Sequence, residues 1–512
     1  MLSRKQTSSS LSDAPQTTWR ADVLALIAGA VTPLAFAPFG VFPLAVIPLA
    51  VLFVLWQLSS GARAAWRGFL FGFGVFGVGV SWVYVSLHNH GNMPAPLAAT
   101  AVVLFVGGLA LYPAAAGALQ ARFTALGPGW RLGSVAPAVW VLCEWVRGWF
   151  LSGFPWLNLG YSQTDTPLAG YLPWMGVYGV SFAVALTAGL LAAAWLDRRR
   201  VFIYLPLAVA LWIGGWFAAQ PEWVQASGGP LRVALVQANV PLKDKWSVDF
   251  RQTIIDQHVS LSERAAGAQL IVWPESAVPG YFDAMKPQFV PRLERLAQER
   301  GSDFLVGAVE RDLLGRSYYN SVFAVGRTQG SYRKQHLVPF GEFLPWPDVF
   351  GRLLATLQIP MSNFSSGAPG QPLLTAAGHT IGVSVCYEDA FGEEVIRALP
   401  LATLLVNVSE DSWFGNSLAP HQRIQMARVR ALEAGRPMLR AANTGPSVII
   451  DRHGAVLAQS PQFAPHVLIG EVQPTAGATP YVLLGNTPLV TLLGVALVAA
   501  AWRARRVRAI PR

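Results

Sequence analysis

Three side chains in the second half of this chain carry groups that can divide one reaction among them. They are the carboxylate of Glu275, the ammonium of Lys334 and the thiol of Cys386. A carboxylate takes a proton from a thiol and returns it to a leaving group. An ammonium lowers the thiol pKa and stabilises a developing oxyanion. A thiolate attacks an acyl carbon and holds the acyl group as a covalent intermediate. Cys386 directly follows Ile381-Gly382-Val383-Ser384-Val385, a short apolar run that reads as a strand buried on both faces, and precedes Tyr387, Glu388 and Asp389. Polar residues at the carboxyl end of such a strand sit where α/β proteins bind ligands. Each residue alone has an ordinary reading as well. A lone cysteine is commonly inert core, and a thiol needs cationic or basic neighbours to react. Spacing along the chain does not by itself bring the three together.

The elements that must position them are legible between residues 220 and 480. Strands are expected at Leu231–Gln237, 269–273, 303–309, 319–325, 401–408, Met438–Ala442, 447–451 and 466–471, in addition to the run before Cys386. Helices are expected at 249–266, 288–300, 392–398 and 421–434. Strands alternating with helices indicate a layered α/β domain. Glu275 follows the 269–273 strand in Trp273-Pro274-Glu275-Ser276. Lys334 and Glu342 share the segment from Tyr332 to Phe343. The 401–408 strand ends in Ser409-Glu410-Asp411.

The rest of the chain has another character. Of 512 residues 53% are hydrophobic and only 13% charged, where soluble domains carry about 25% charged residues. Spans are expected at 21–37, 41–58, 66–87, 95–119, 132–151, 177–196, 201–219 and 481–502, most of them near the ~20 apolar residues that cross a bilayer as a helix. No small-residue cleavage site leads into a polar mature domain, so the first span is expected to be retained. The net charge of +10 is uneven: residues 220–480 hold 22 Lys/Arg against 23 Asp/Glu. The excess lies in alternate loops, at Arg4, Lys5 and Arg20, at Arg63 and Arg67, at Arg122 and Arg131, at Arg198 to Arg200, and in the tail from Arg503, while the loops near Phe39, at 88–96 and at 152–176 have no Lys or Arg. This alternation is a topology signal and not a nucleic-acid signal; it puts both termini in the cytoplasm and the large domain outside. In a bacterial inner membrane that side is the periplasm. The expected organisation is a tail (1–20), seven membrane helices (21–219), an external α/β domain (220–480), an eighth helix (481–502) and a basic cytoplasmic tail (503–512). Cys143 and Cys386 fall in different parts, so no disulfide joins them.

Within span five, Glu144 and Arg147 read as a satisfied structural pair. The loop Phe154-Pro155-Trp156-Leu157-Asn158-Leu159-Gly160-Tyr161 reads as an interfacial aromatic belt, with a lipid-binding rim as the alternative. Between Phe343 and Phe364 lies an apolar insert with Leu344, Trp346, Phe350, Leu353, Leu354, Leu357, Ile359 and Met361. It is either ordinary core or a lid over acyl chains facing a bilayer.

Trp273-Pro274-Glu275-Ser276, Tyr332-Arg333-Lys334-Gln335-His336-Leu337 and Val385-Cys386-Tyr387-Glu388 resemble the three signatures of the nitrilase superfamily, which uses a Glu-Lys-Cys triad on an α-β-β-α sandwich. Together with the flanking spans, the Lys334-to-Pro345 run and Ser412-Trp413-Phe414-Gly415, the chain resembles the apolipoprotein N-acyltransferase family over nearly its whole length. The resemblance implies Glu275 as general base, Lys334 at the oxyanion and Cys386 as nucleophile. It also implies supporting roles for Glu342, Tyr387 and Glu388, and a substrate-gating role for Trp246. It implies a ping-pong cycle. The sn-1 acyl chain of a phospholipid, with phosphatidylethanolamine the expected donor, passes to Cys386 and then to the N-terminal amine of a diacylglyceryl-cysteine apolipoprotein. No metal or cofactor is expected, and a monomer is. The competing readings are a membrane-tethered amidase or nitrile hydrolase using the same three residues on a small molecule, a non-catalytic lipoprotein-binding scaffold, and a transporter, which the scarcity of intramembrane charge disfavours.

Overall fold

The computed structural model describes residues 14–312, 314–346, 348 and 363–509. Of the apolar insert, Phe350, Leu353, Leu354, Leu357, Ile359 and Met361 lie outside the described residues; Trp346 is described and is exposed.

Strand-forming residues between 220 and 480 give β1 (Val224–Ala226), β2 (Leu231–Gln237), β3 (Leu270–Val272), β4 (Asp303–Arg311), β5 (Tyr318–Val325), β6 (Gly330–Arg333), β7 (Leu374–Ala376), β8 (His379–Val385), β9 (Leu404–Ser409), β10 (Met438–Ala442), β11 (Val448–Ile450), β12 (Val456–Gln459), β13 (His466–Val472) and β14 (Thr475–Gly477). They form two six-stranded sheets, β13-β2-β3-β4-β5-β6 and β12-β11-β10-β9-β8-β7, and a β1-β14 ribbon. The centre of each sheet is parallel: β2-β3-β4 in one, β8-β9-β10 in the other.

The two-residue period of a strand builds the layers. Leu231, Val233 and Leu235 face the other sheet and pack with Ile381, Val385, Val406 and Leu439. Ala234 and Val236, one register away, pack under the helices Arg251–Glu263 and Phe282–Arg300. On the far side, Leu405, Met438 and Val448 pack on Ala427, Ala431 and Ala434 of the helix Ala419–Ala434. The order helix, sheet, sheet, helix is the expected sandwich. Leu235, Leu305 and Val406 are fully buried, worth about 2 kcal/mol each in removed apolar surface.

Helices occupy all eight expected spans, with differences at the ends. The first is Ala14–Val31, so residues 14–20, expected in the polar tail, are helical. Among the described residues, four helical stretches are long and apolar enough to cross a membrane: Ala95–Phe123, Pro167–Leu196, Arg198–Ala218 and Thr487–Val507; Gly61–Gly79 with Trp82–His90, bent by 51°, makes a fifth. Pro43–Gln57 is shorter than that, and Ala136–Arg147 has 12 residues. The last expected span is broken: Gly485, at φ +59°, separates Pro480–Leu484 from Thr487–Ala509. Arg67, expected in a loop, lies inside the Gly61–Gly79 helix, where it is buried and paired with Asp22 at 3.2 Å. Leu172–Leu196 is kinked at Gly176 (φ +63°, ψ −170°), a conformation open to glycine alone. The Val177 N–H beyond the kink donates to Glu433 Oε1 at 2.7 Å.

Candidate active site

Cys386 follows β8 in a left-handed conformation, φ +51°, which costs a side-chain-bearing residue about 1–2 kcal/mol. Donors on its carbonyl oxygen hold it there: Arg423 Nη2 at 2.6 Å and Asn407 Nδ2 at 3.1 Å. The turn tips the half-buried thiol off the end of the strand. Arg423 Nη1 donates to Sγ at 3.5 Å. Glu275, beyond the end of β3, precedes a second strained residue, Ser276 at φ +48°.

Glu275 and Lys334 are joined by two side chains. Asn320 Nδ2, on β5, donates to Glu275 Oε1 at 2.7 Å and to Glu342 Oε1 at 3.2 Å. Glu342 Oε2 pairs with Lys334 Nζ at 2.7 Å and accepts the Val338 N–H at 2.8 Å. The other Glu275 oxygen accepts the Glu410 N–H at 2.8 Å. Glu275 and Lys334 are both buried.

Charge in this pocket is mutually dependent. Burial pushes the Glu275 carboxyl up, and Lys334 pulls it partly back. Burial works against the Lys334 ammonium, but Glu342, Cys386 and Glu275 together hold its pKa above the ordinary lysine value, so it stays protonated. Burial and then Glu275 push the Cys386 thiol up to about 11, against the pull of Arg423 and Lys334. A resting thiol beside a carboxylate base and two fixed cations is suited to attack on a carbonyl carbon, with its proton removed as the new bond forms. The sequence-derived residues Glu275, Lys334 and Glu342 therefore share one bonded cluster, and Cys386 is coupled to it electrostatically.

Glu388 fastens the Cys386 turn to the Lys334 segment. Its Oε1 accepts the N–H groups of Gln335 at 2.7 Å and His336 at 3.1 Å; its Oε2 accepts the Val385 N–H at 2.7 Å; Tyr332 donates to both at 3.1 Å. Asn320, Arg423, Lys245 and Glu410 are additions that the sequence reading lacked. Lys245 is buried, donates to the Glu275 carbonyl at 3.1 Å and forms an ion pair with Glu410. Glu410 stood in the polar cluster after β9, which was a usable signal. Nothing in the spacing of Arg423 announces it.

The carbon-nitrogen hydrolase family model matches residues 232–481, and the model described as the apolipoprotein N-acyltransferase N-terminal domain matches residues 28–190. A curated apolipoprotein N-acyltransferase from Methylococcus capsulatus is 46% identical over 95% of this chain and 97% of its own length. One from Nitrosomonas europaea is 42% identical over 94% and 98%. The chain belongs to the apolipoprotein N-acyltransferase family. Its α/β part has the carbon-nitrogen hydrolase fold, and its apolar helices make it a membrane protein.

In this apolipoprotein N-acyltransferase family member the two matched regions meet beside the thiol. Tyr387 donates to the Gly153 carbonyl at 2.6 Å and stacks on Trp156 with centroids 5.7 Å apart. The loop expected as an interfacial belt is thus an internal joint: Trp156 and Tyr161 are buried, because they fill the seam between bundle and sandwich. Trp82 and Trp156 both donate to Gln422 Oε1, at 3.2 and 3.0 Å. Glu144 and Arg147, expected as a pair, each anchor this loop instead. Glu144 Oε1 accepts the Leu159 N–H at 3.2 Å. Arg147 donates to the carbonyls of Phe154 and Trp156 and to Asn158 Oδ1, each at 2.6 Å. Trp246 is 48% exposed at the end of the Leu242–Lys245 turn. Its neighbour Lys245 connects that turn to Glu275.

Proposed function

We propose that this chain transfers a fatty acyl group from a phospholipid to the N-terminal amine of a diacylglyceryl-cysteine apolipoprotein, through a thioester on Cys386. Glu275 accepts the thiol proton as Sγ attacks the sn-1 ester carbonyl, and passes it to the departing lysophospholipid hydroxyl. Lys334, held by Glu342, faces the negative charge that builds on the carbonyl oxygen. The lipoprotein amine then attacks the thioester and yields its proton to Glu275, and the C–S bond breaks. Phosphatidylethanolamine is the proposed donor. Trp246 is proposed to meet the incoming substrate from its exposed turn, and the 343–364 insert to cover acyl chains.

One observation carries this reading: the Cys386 thiol, bonded by Arg423 and under the electrostatic influence of Glu275 and Lys334, packs at the seam with an apolar helix bundle, which suits a lipid ester and not a freely diffusing amide. The arginine-bearing and arginine-free loops support a topology with both termini cytoplasmic and residues 220–480 periplasmic in a bacterial inner membrane. The test is intact-mass spectrometry of the full chain in phosphatidylethanolamine vesicles. A fatty acyl adduct on Cys386, discharged as an amide by a diacylglyceryl-cysteine dipeptide, is the expected result. Discharge by water alone would indicate an amidase, and no adduct would remove the nucleophile assignment.

A further inference from the structure

Arg423 takes no part in the proton relay, yet it is the residue bonded to the sulfur. It rises from the helix Ala419–Ala434, packed between the sandwich and the bundle, and is fully buried. Its Nη2 is fixed by the Cys386 carbonyl at 2.6 Å and by Asp389 Oδ1 at 3.0 Å, and its Nη1 then points at Cys386 Sγ, 3.5 Å away. A guanidinium is planar, so two bonds at Nη2 leave Nη1 little freedom to leave the sulfur. It does not lose its proton in a protein, so it serves as a fixed donor and not as an acid. Lys334, by contrast, is bonded to Glu342 at 2.7 Å.

The geometry points to Arg423 as a second catalytic cation, dedicated to the sulfur as Lys334 is to the acyl oxygen: it receives the negative charge that returns to Sγ when the acyl group departs. This rests on the proposed thioester at Cys386. In the second half-reaction the amine nitrogen bonds to the acyl carbon, the C–S bond breaks and its electron pair goes to Sγ. The amine proton passes to Glu275 and later to the sulfur. A thiolate leaves faster when its conjugate acid is stronger, while its strength as a nucleophile falls only partly in step. Arg423 therefore accelerates discharge more than loading. A purely structural Arg423–Asp389 pair has no reason to separate the two.

The charged and titratable groups facing Sγ are Glu275, Glu342, Lys334 and Arg423, and those facing Arg423 are Asp389, Asp411 and Cys386. The experiment keeps all but one of them. Full-length wild type, Arg423→Gln and Arg423→Lys are loaded in phosphatidylethanolamine vesicles, the acyl adduct on Cys386 is followed by mass, and discharge is started with the diacylglyceryl-cysteine dipeptide. In parallel, alkylation of Cys386 by iodoacetamide at pH 8 is read on the tryptic peptide, which separates it from Cys143. For Arg423→Gln, a tenfold or greater fall in discharge with loading within about threefold is expected, and alkylation about threefold slower, the tenfold smaller thiolate fraction of a one-unit pKa rise being partly offset by the stronger nucleophile. Arg423→Lys keeps a buried cation beside Asp389 but lacks the fork that reaches carbonyl and sulfur together. It is expected to show the same split in weaker form, and it carries the test if the Gln variant does not fold. Equal losses in both half-reactions, or unchanged alkylation in either folded variant, overturn the inference. A wild type that never loads Cys386 overturns the thioester reading instead, which the wild-type lane alone decides.

Discussion

The hydroxyl of Tyr387 donates to the carbonyl of Gly153 at 2.6 Å, and its ring lies parallel to Trp156. The residue after the candidate nucleophile is thereby fixed to a loop of the helix bundle. Tyr387→Phe keeps the ring and loses one hydrogen bond, worth about 1 kcal/mol. Tyr387→Ala also loses the stack, about 1 kcal/mol more beyond its buried area. Acyl-transfer rates are expected to fall modestly in the first and severely in the second. Equal rates in the two variants would show that the hydrogen bond, not the ring, positions the turn.

Asn320 is expected to set the acid limb of the pH profile. Its Nδ2 bond favours the ionised form of Glu275, whose pKa burial already raises. Asn320→Leu removes that help, so Glu275 takes a proton at still higher pH and activity is lost earlier on acidification. Transfer rates from pH 5 to 9 should show the limb displaced upward, with kcat/KM down about tenfold if the lost bond is worth about 1.4 kcal/mol.

Lys245→Met leaves Glu410 buried without its cation, a loss of about 3–5 kcal/mol. Pairing it with Glu410→Gln removes the stranded charge. Thermal unfolding in detergent should show the double variant more stable than Lys245→Met alone. If the double variant is no more stable, the ion pair is not what Lys245 supplies.

Burial pushes the Glu388 carboxyl up to about 7, against 4.5 for a free glutamate, despite Lys334 and three backbone N–H donors acting the other way. Its folded-state value is raised, so the stability it contributes is complete below pH 4.5 and disappears as pH rises through 7, on the order of 3 kcal/mol in all. Glu388→Gln should flatten the fall in Tm between pH 5 and pH 8 relative to wild type. Glu433, also held near 7, is common to both proteins and cancels in that difference.

Gly176→Ala puts a side chain at φ +63°, ψ −170°, against the ring of Tyr481. The backbone term alone costs about 1–3 kcal/mol. Low yield and a lowered Tm in detergent are expected, with the specific activity of any folded fraction preserved.

The sandwich was readable because period and punctuation agreed. Leu231–Gln237 and Met438–Ala442 came out residue for residue, and the Cys386 turn fell where an apolar run met three polar residues. Glu275, Lys334 and Cys386 each stood just beyond a strand end. Arg423 and Asn320 were invisible because their importance depends on which side of a helix or strand faces the thiol, a matter of tertiary register. Trp156 was misjudged for a related reason. An aromatic loop between apolar spans has the same composition whether it lies at a lipid boundary or inside a joint, and only the docking of Tyr387 separates the two. For Glu144 and Arg147, helical spacing suggested each other as partners where the loop supplies them.

The Ala419–Ala434 helix serves two masters. Ala427 and Ala431 rest on the sheet, while Met426 and Val429 belong to the core of the bundle, and Arg423 reaches the thiol from between them. Excising residues 220–480 as a water-soluble fragment would therefore strip away the bundle core against which this helix, and with it Arg423 and the Cys386 turn, is packed. The helix bundle, and so the lipid or detergent that keeps it folded, is part of what holds the Cys386 turn in place.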